Sequence, residues 1–197
     1  ELGEILKHND LIIVESTVPM DTCLKIQKKL NKKRKIYVSH TPERAFPGKT
    51  IFEMINNNRI IGSNSKYSIK KTKEIYKKFV KGKIIETNFE IAECSKLVEN
   101  IYRDVNIALA NELNLIFSKS GLDSRKIFQI ANKHPRVNIH EHGIGVGGHC
   151  IPVDPYFLKN YNKSKLIKMA RNINDMTTTT YINKIKKIIN NNKSKRI

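Results

Sequence analysis

The amino-acid sequence predicts an α/β fold: one half of a doubly wound sheet, followed by an all-α segment. Three observations carry that expectation. Short runs rich in Ile and Val recur at Leu11–Val14, Lys35–Val38, Arg59–Gly62 and Lys83–Glu86, and apolar runs of this length are typical of strands buried in parallel sheets. Helical stretches at 22–34 and 67–81 separate them in a β-α-β-β-α-β alternation. From about Asn88 the strand pattern stops and long periodic stretches take its place.

The elements follow in order. Leu11-Ile12-Ile13-Val14 is continuously apolar and reads as a buried strand. Residues 22–34 alternate Lys with Leu and Ile at helical spacing, so Lys is expected outward and Ile or Leu inward, as also at Lys70-Lys71-Thr72-Lys73 and Lys184-Ile185-Lys186-Lys187. A loop is expected from Ser39 to Thr50. Residues 89–120 predict one long helix ended by Ser120-Gly121, and 123–133 a shorter one. A loop rich in Gly and His runs to Pro152. Asp154-Pro155 then predicts a new helix, with Asp as N-cap and Pro at the first helical position. Residues 164–191 predict a long basic helix, and Asn190–Lys195 a polar, linker-like tail.

The chain has 197 residues and a formal charge of +19, enough length to bury a core and enough charge to raise the question of nucleic acid. The charge is uneven: +11 over residues 1–83, −2 over 84–158 and +10 over 159–197. Aromatics do not interleave with the basic runs as a stacking platform for single strands requires, so solvated helix faces are expected and nucleic acid is not expected as a partner. No apolar run reaches the 18–20 residues, roughly, that span a membrane. Three cysteines without a CxxC pair argue against a disulfide scaffold. A reducing, cytoplasmic setting is expected.

The chemistry concentrates in Gly143-Ile144-Gly145-Val146-Gly147-Gly148-His149-Cys150-Ile151-Pro152-Val153-Asp154-Pro155. Its formal G-x-G-x-x-G lacks the strand before and the helix straight after that a dinucleotide loop needs. The glycines instead allow a ligand to approach Cys150 closely. A helix start just beyond would favour its thiolate, although a lone Cys is also often a small packing residue. Cys23 and Cys94 have no such setting and are expected to pack. Lys96 and Asn100, four apart on the long helix, share a face and suit a developing oxyanion, or simply face solvent. Glu15-Ser16-Thr17-Val18-Pro19 and Thr41-Pro42-Glu43-Arg44-Ala45-Phe46-Pro47-Gly48 each follow a strand, where ligands sit in open α/β sheets. There Glu43 reads as a general base or as a turn residue. His134, His140, His142 and His149 match no metal-ligand spacing, and no metal is expected.

In their order these segments, with Asn57–Gly62 and Glu93–Asn100, resemble the UDP-glucose/GDP-mannose dehydrogenase family across essentially the whole chain, and within it the branch acting on UDP-N-acetylhexosamines. The resemblance implies the C-terminal half of a doubly wound Rossmann-like, NAD-binding domain at 1–87. An all-α central domain at 88–197 would follow, dimerising through the helix near 164–191. It implies NAD-dependent, four-electron oxidation of a C6 alcohol, with UDP-N-acetyl-D-mannosamine the first choice of substrate and UDP-N-acetylglucosamine or UDP-glucose the alternatives. It further implies Cys150 as the thiol nucleophile and Lys96 and Asn100 at the tetrahedral oxygen. Thr17 and Asp154 would handle water or protons, and Glu43 would assist thioester hydrolysis. Arg44, Ala45, Phe46, Gly147 and, from a neighbouring subunit, Arg136 would bind substrate, and Ser16, Thr17 and Gly148 the cofactor. Pro19-Met20-Asp21-Thr22, His142 and Met176–Thr180 differ from the usual family pattern. A Gly-rich NAD loop upstream and a second α/β domain downstream are implied outside the chain, which is therefore expected to be a fragment, inactive by itself. A basic nucleic-acid module and a cysteine hydrolase or thiol redox protein are the readings from other classes.

Overall fold

The computed structural model describes residues 5–32 and 34–191; expectations placed on 1–4, Lys33 and 192–197 lie outside them. The chain forms two compact units. The first holds the described residues up to Val98 with Phe157–Lys159; the second holds Glu99–Tyr156 and the described residues from Asn160.

The first unit is a four-stranded sheet, β1 (Leu11–Val14), β2 (Tyr37–His40), β3 (Arg59–Gly62) and β4 (Ile84–Thr87), in the order β1-β2-β3-β4. Strands β1 and β2 run parallel in the register Leu11↔Tyr37 to Val14↔His40, and β3 and β4 run parallel from Arg59↔Ile84 to Gly62↔Thr87. The step between β2 and β3 departs from an all-parallel expectation: the strands meet antiparallel at His40↔Gly62. A parallel connection needs a crossover helix packed on the sheet. The intervening helix α2 (Thr50–Asn56), where no helix was expected, has no buried residue and so forms no such layer.

Helix α1 (Thr22–Leu30) stops short of residue 34, because Asn31 Oδ1 turns to accept the N–H of Ile36 at 2.8 Å. Its Leu24, Ile26 and Leu30 pack on the buried cluster of Cys23, Ile36, Val38 and Phe89, with Lys28 and Lys29 outward as expected. Helix α3 (Lys66–Tyr76) starts at the N-cap Ser65, whose Oγ accepts from Ser68 N, and ends before residue 81. Its inner face is not Ile or Leu. Ser68, Thr72 and Tyr76, each four residues apart, are buried and share that face. Two of them pair with the sheet, Thr72 with Ser39 at 2.7 Å and Tyr76 with Thr41 at 2.8 Å.

Helix α4 (Phe89–Lys119) begins in the first unit and continues into the second. Gly62 marks its start: a Cβ there would stand 2.4 Å from Ala92 Cβ and 2.7 Å from the Asn88 carbonyl, so only glycine lets β3 lie so close.

The second unit adds α5 (Ser124–Ala131), capped by Asp123, and α6 (Leu166–Asn191). Its apolar core is small, with Ile101, Ala108, Ala110, Phe128 and Ala170. Asn100, Asp104, Asn111, Arg171, Asn174 and Thr177 are buried among them. Within the threonine stretch, which is helical throughout, the Thr177 and Thr180 hydroxyls donate to carbonyls four residues back. Helix α6 runs through Asn190, so the tail expected there is helical as far as Asn191. Its second half also corrects the Lys-out, Ile-in expectation: Ile182, Ile185 and Ile188 are exposed together with the lysines, since among the described residues nothing covers that face.

Candidate active site

In the first unit the parallel pairing of β1 and β2 brings their C-terminal ends side by side. The ladder continues past the strands: Thr41 N donates to the Val14 carbonyl at 2.9 Å and Glu43 N to the Glu15 carbonyl at 3.0 Å. This places Glu15-Ser16-Thr17 beside Thr41-Pro42-Glu43 on one edge, with Ser16 exposed and Thr17 half-buried.

Glu43 is held on both oxygens. Oε1 accepts the backbone N–H groups of Arg44 and Ala45, both at 2.6 Å, and Oε2 accepts Arg59 Nη1 at 3.0 Å and Nη2 at 3.1 Å. Burial pushes its pKa up. The N–H of Ala45, the Arg59 guanidinium and the N–H of Arg44 together outweigh that and hold it below the ordinary carboxylate value. Arg59 is itself buried, lies 3.9 Å from Glu15 and stands 4.8 Å over the Tyr76 ring. Burial and the hydrogen bond to Glu15 push Tyr76 up to about 12, so its hydroxyl remains a donor. A carboxylate has about four acceptor sites, and here four donors fill them. Free basicity at Glu43 therefore requires one of these bonds to open. Beyond it, Ala45 is half-buried and Phe46 exposed; Phe46 N donates to Glu53 Oε2 at 2.8 Å and Arg44 Nη1 to the Asn58 carbonyl at 3.2 Å. Arg59 and Glu53 carry no role in the sequence reading, although Arg59 lies inside one of its marked segments.

Glu93, also marked but given no role, is buried and closes the start of α1. Its Oε2 accepts Asp21 N at 2.7 Å and its Oε1 accepts Cys23 N at 2.8 Å, a carboxylate on a helix N-terminus. Burial first, then Glu93, pushes the Cys23 thiol far up; burial also raises Cys94. Cys23 packs in the core, while Cys94 is half-buried outside it. Lys96 follows on α4, half-buried.

In the second unit the cysteine loop is tied down at both ends. Gly143 N donates to Asn111 Oδ1 at 2.9 Å. Gly145, at φ +130°, lies against α6, where a Cβ would stand 2.0 Å from Thr178 Oγ1. Gly148 takes φ +89°, and open space surrounds Gly147 and Gly148, so a ligand can reach this backbone. Cys150 is an exposed free thiol, which sets aside the packing alternative. Its carbonyl accepts Val153 N at 3.1 Å and Asp154 N at 2.9 Å.

The helix expected at Asp154-Pro155 is a single 3₁₀ turn, Asp154–Phe157. Four residues provide no sustained macrodipole, so the helix-start argument for a Cys150 thiolate falls. Asp154 is buried inside the turn rather than capping it, and accepts Asn100 Nδ2 at 2.5 Å. Asn100 is thus buried with one N–H engaged, not facing solvent.

Arg136 is exposed in the turn after α5, its N–H donating to His134 Nδ1 at 3.3 Å. The histidines find separate surroundings. His140 meets Tyr102 edge-on, and His142 Nε2 lies 3.0 Å from Ser124 Oγ. Burial and Arg125 keep the His142 pKa low. Among the described residues no three His, Cys, Asp or Glu side chains gather as a metal site.

Comparison with known proteins follows the same division. Residues 1–80 match the NAD binding domain of the UDP-glucose/GDP-mannose dehydrogenase family, and residues 90–176 match its central domain. A UDP-N-acetyl-D-mannosamine dehydrogenase of Methanocaldococcus jannaschii is 50% identical over 185 residues, 93% of this chain and 43% of that protein. One of Methanococcus maripaludis is 53% identical over 171 residues, 86% of this chain and 40% of that protein. The solved UDP-D-ManNAc dehydrogenase of Pyrococcus horikoshii superposes with a TM-score of 0.90 at 40% identity, covering 98% of this chain and 48% of that one. The chain thus spans less than half the length of each. With its NAD binding domain matched over residues 1–80 and its central domain over 90–176, in that order, the chain belongs to the UDP-glucose/GDP-mannose dehydrogenase family.

Proposed function

We propose that the chain supplies the chemical residues of an NAD-dependent UDP-sugar 6-dehydrogenase. The observation that carries this reading is the exposed thiol of Cys150, set in an open glycine loop anchored through Asp154 to Asn100. The substrate proposed is a UDP-N-acetylhexosamine, UDP-N-acetyl-D-mannosamine first, because relatives about half identical to this chain over the aligned residues carry that name.

When bound, NAD+ supplies the hydride acceptor for each of two oxidations. In the first unit the hydroxyls of Ser16 and Thr17, at the parallel edge beyond β1, suit a polar dinucleotide; in the second, the open backbone at Gly148 does. The first oxidation leaves a C6 aldehyde. The Cys150 sulfur adds to its carbon, a C–S bond forming as the carbonyl oxygen becomes an oxyanion. Lys96 and the amide of Asn100 stabilise that oxygen. Loss of hydride from the same carbon leaves a thioester. Water then adds, the C–S bond breaks, and carboxylate and thiol are released. Thr17 and Asp154 hold the water or carry its proton. Glu43, kept ionised by Arg59, assists this hydrolysis on opening one of its backbone bonds. Arg44, Ala45, Phe46 and Gly147 bind the sugar nucleotide, and Arg136 serves a neighbouring subunit's substrate. The exposed Ile182, Ile185 and Ile188 along one face of α6 support pairing of two copies through that helix. The 197-residue chain alone is expected to give no turnover.

Substituting Cys150→Ser in the full-length protein tests the reading. The expected outcome is loss of uronic acid formation by more than about a thousandfold with NAD+ binding retained; undiminished acid formation overturns it.

A further inference from the structure

The loop that carries Cys150 is strung between two amides of one helix. Asn100 holds its far end through Asp154, and Asn111 holds its near end through the N–H of Gly143. Asn100 and Asn111 are eleven residues apart on α4, about three helical turns, so they stand on one face. Asp104 lies between them and is buried on that face.

Asn111 is not free to turn. Its Nδ2 donates to Asn174 Oδ1 at 3.0 Å. Asn174 Nδ2 donates onward to the Asp104 carbonyl at 3.0 Å and to Asp104 Oδ1 at 2.8 Å. The same Oδ1 accepts Arg171 Nη1 at 2.5 Å, and Arg171 Nη2 reaches Asp175 at 2.5 Å. Asn111, Asn174, Asp104 and Arg171 are each no more than 3% exposed.

The order of donors and acceptors along this chain is forced. Asp104 offers only acceptors toward Asn174, so the Asn174 amide must aim its NH2 there and its oxygen at Asn111. Asn111 must then aim its own NH2 at Asn174, which leaves its oxygen pointing at the loop. The charge of Asp104 thereby sets an acceptor in front of Gly143. Gly145 adds contact with the same part of α6, its missing Cβ lying 3.3 Å from the Asn174 carbonyl. Apolar side chains at these positions would fill the space without the desolvation that buried amides and charges carry. The polar chain has an outlet, and the outlet is the cysteine loop.

We propose that Asn111 is a positioning residue for Cys150: it fixes the near end of the glycine loop, so that the thiol is presented at a set distance from Asn100. This rests on the reading of Cys150 as the nucleophile. The test is Asn111→Leu in the full-length protein, read by amide hydrogen exchange and by steady-state kinetics. Exchange over 143–150 is expected to quicken about tenfold or more while α4 keeps its protection, because only the loop is released. kcat is expected to fall about tenfold or more, with a smaller rise in KM because the released loop also carries Gly147 and Gly148. Should the leucine variant not fold, Asn111→Ala, which leaves room for water, is measured in the same way. Unchanged loop exchange in a folded variant overturns the proposal, and so does a quickened loop with kcat retained. A failure of the dehydrogenase reading shows separately, as acid formation that survives Cys150→Ser, because the exchange measurement needs neither cofactor nor sugar.

Discussion

Glu43 shows how one side chain's neighbours determine what it does. Two backbone N–H groups and a buried guanidinium meet its oxygens, and charge-assisted bonds of this kind favour the ionised form. Its folded pKa lies below the unfolded value, so its contribution is fully present above the ordinary carboxylate pKa. That contribution disappears as pH falls through the lower, folded value. Thermal stability measured from pH 7 down to about 3 should therefore fall more steeply in the unmodified chain than in Glu43→Gln; parallel curves would remove Glu43 from the acid-sensitive set. Arg59 carries the other half of this arrangement. It was legible in the sequence only as part of a strand, because a charged residue in a short apolar run gives no sign of its partner.

At the scale of elements, two glycines show where the backbone allows no side chain. Gly62 ends β3 directly under the first turn of α4, with 2.4 Å to the Ala92 Cβ. Overfilling a packed contact costs about 1–3 kcal/mol, and Gly62→Ala should lower stability by about that amount in urea unfolding with an unchanged m-value. A variant as stable as the parent would mean that α4 can shift without loss. Gly145 in the cysteine loop is the second, against Thr178, while Gly147 and Gly148 beside it stand in open space; in this loop the glycines alone predict access but not anchorage. The helix expected after Cys150 shrinks to one 3₁₀ turn because Asp154, the expected cap, turns inward to Asn100. A local capping rule cannot anticipate a partner 54 residues away.

For the molecule as a whole, the +19 charge is concentrated at +11 in residues 1–83 and +10 in residues 159–197, while residues 84–158 carry a charge of −2. That distribution suits solvated helix surfaces. Helix α6 also exposes Ile182, Ile185 and Ile188, three residues apart and so along one face. Light scattering on the full-length protein should give a dimer mass, and Ile185→Asp with Ile188→Asp should shift it toward the monomer. A mass unaffected by both substitutions would place the contact elsewhere. Among the described residues no helix is long and apolar enough to cross a membrane.

By itself the sequence determined the four strands, most of the helices between and after them, and where the segments past β1 and β2 and the glycine loop fall along the chain. Those features follow from periodicity, turn chemistry and spacing, which act over a few residues. Only the tertiary structure decided the antiparallel step at β3, the polar inner face of α3, the clamp on Glu43 and the amide chain behind Cys150. Their physical cause is that buried donors and acceptors must be paired, and the partners lie far apart along the chain: 63 residues from Asn111 to Asn174, 67 from Asp104 to Arg171, and 72 from Asp21 to Glu93. Such pairs are chosen by what folding brings together, and no local pattern of residues records the choice.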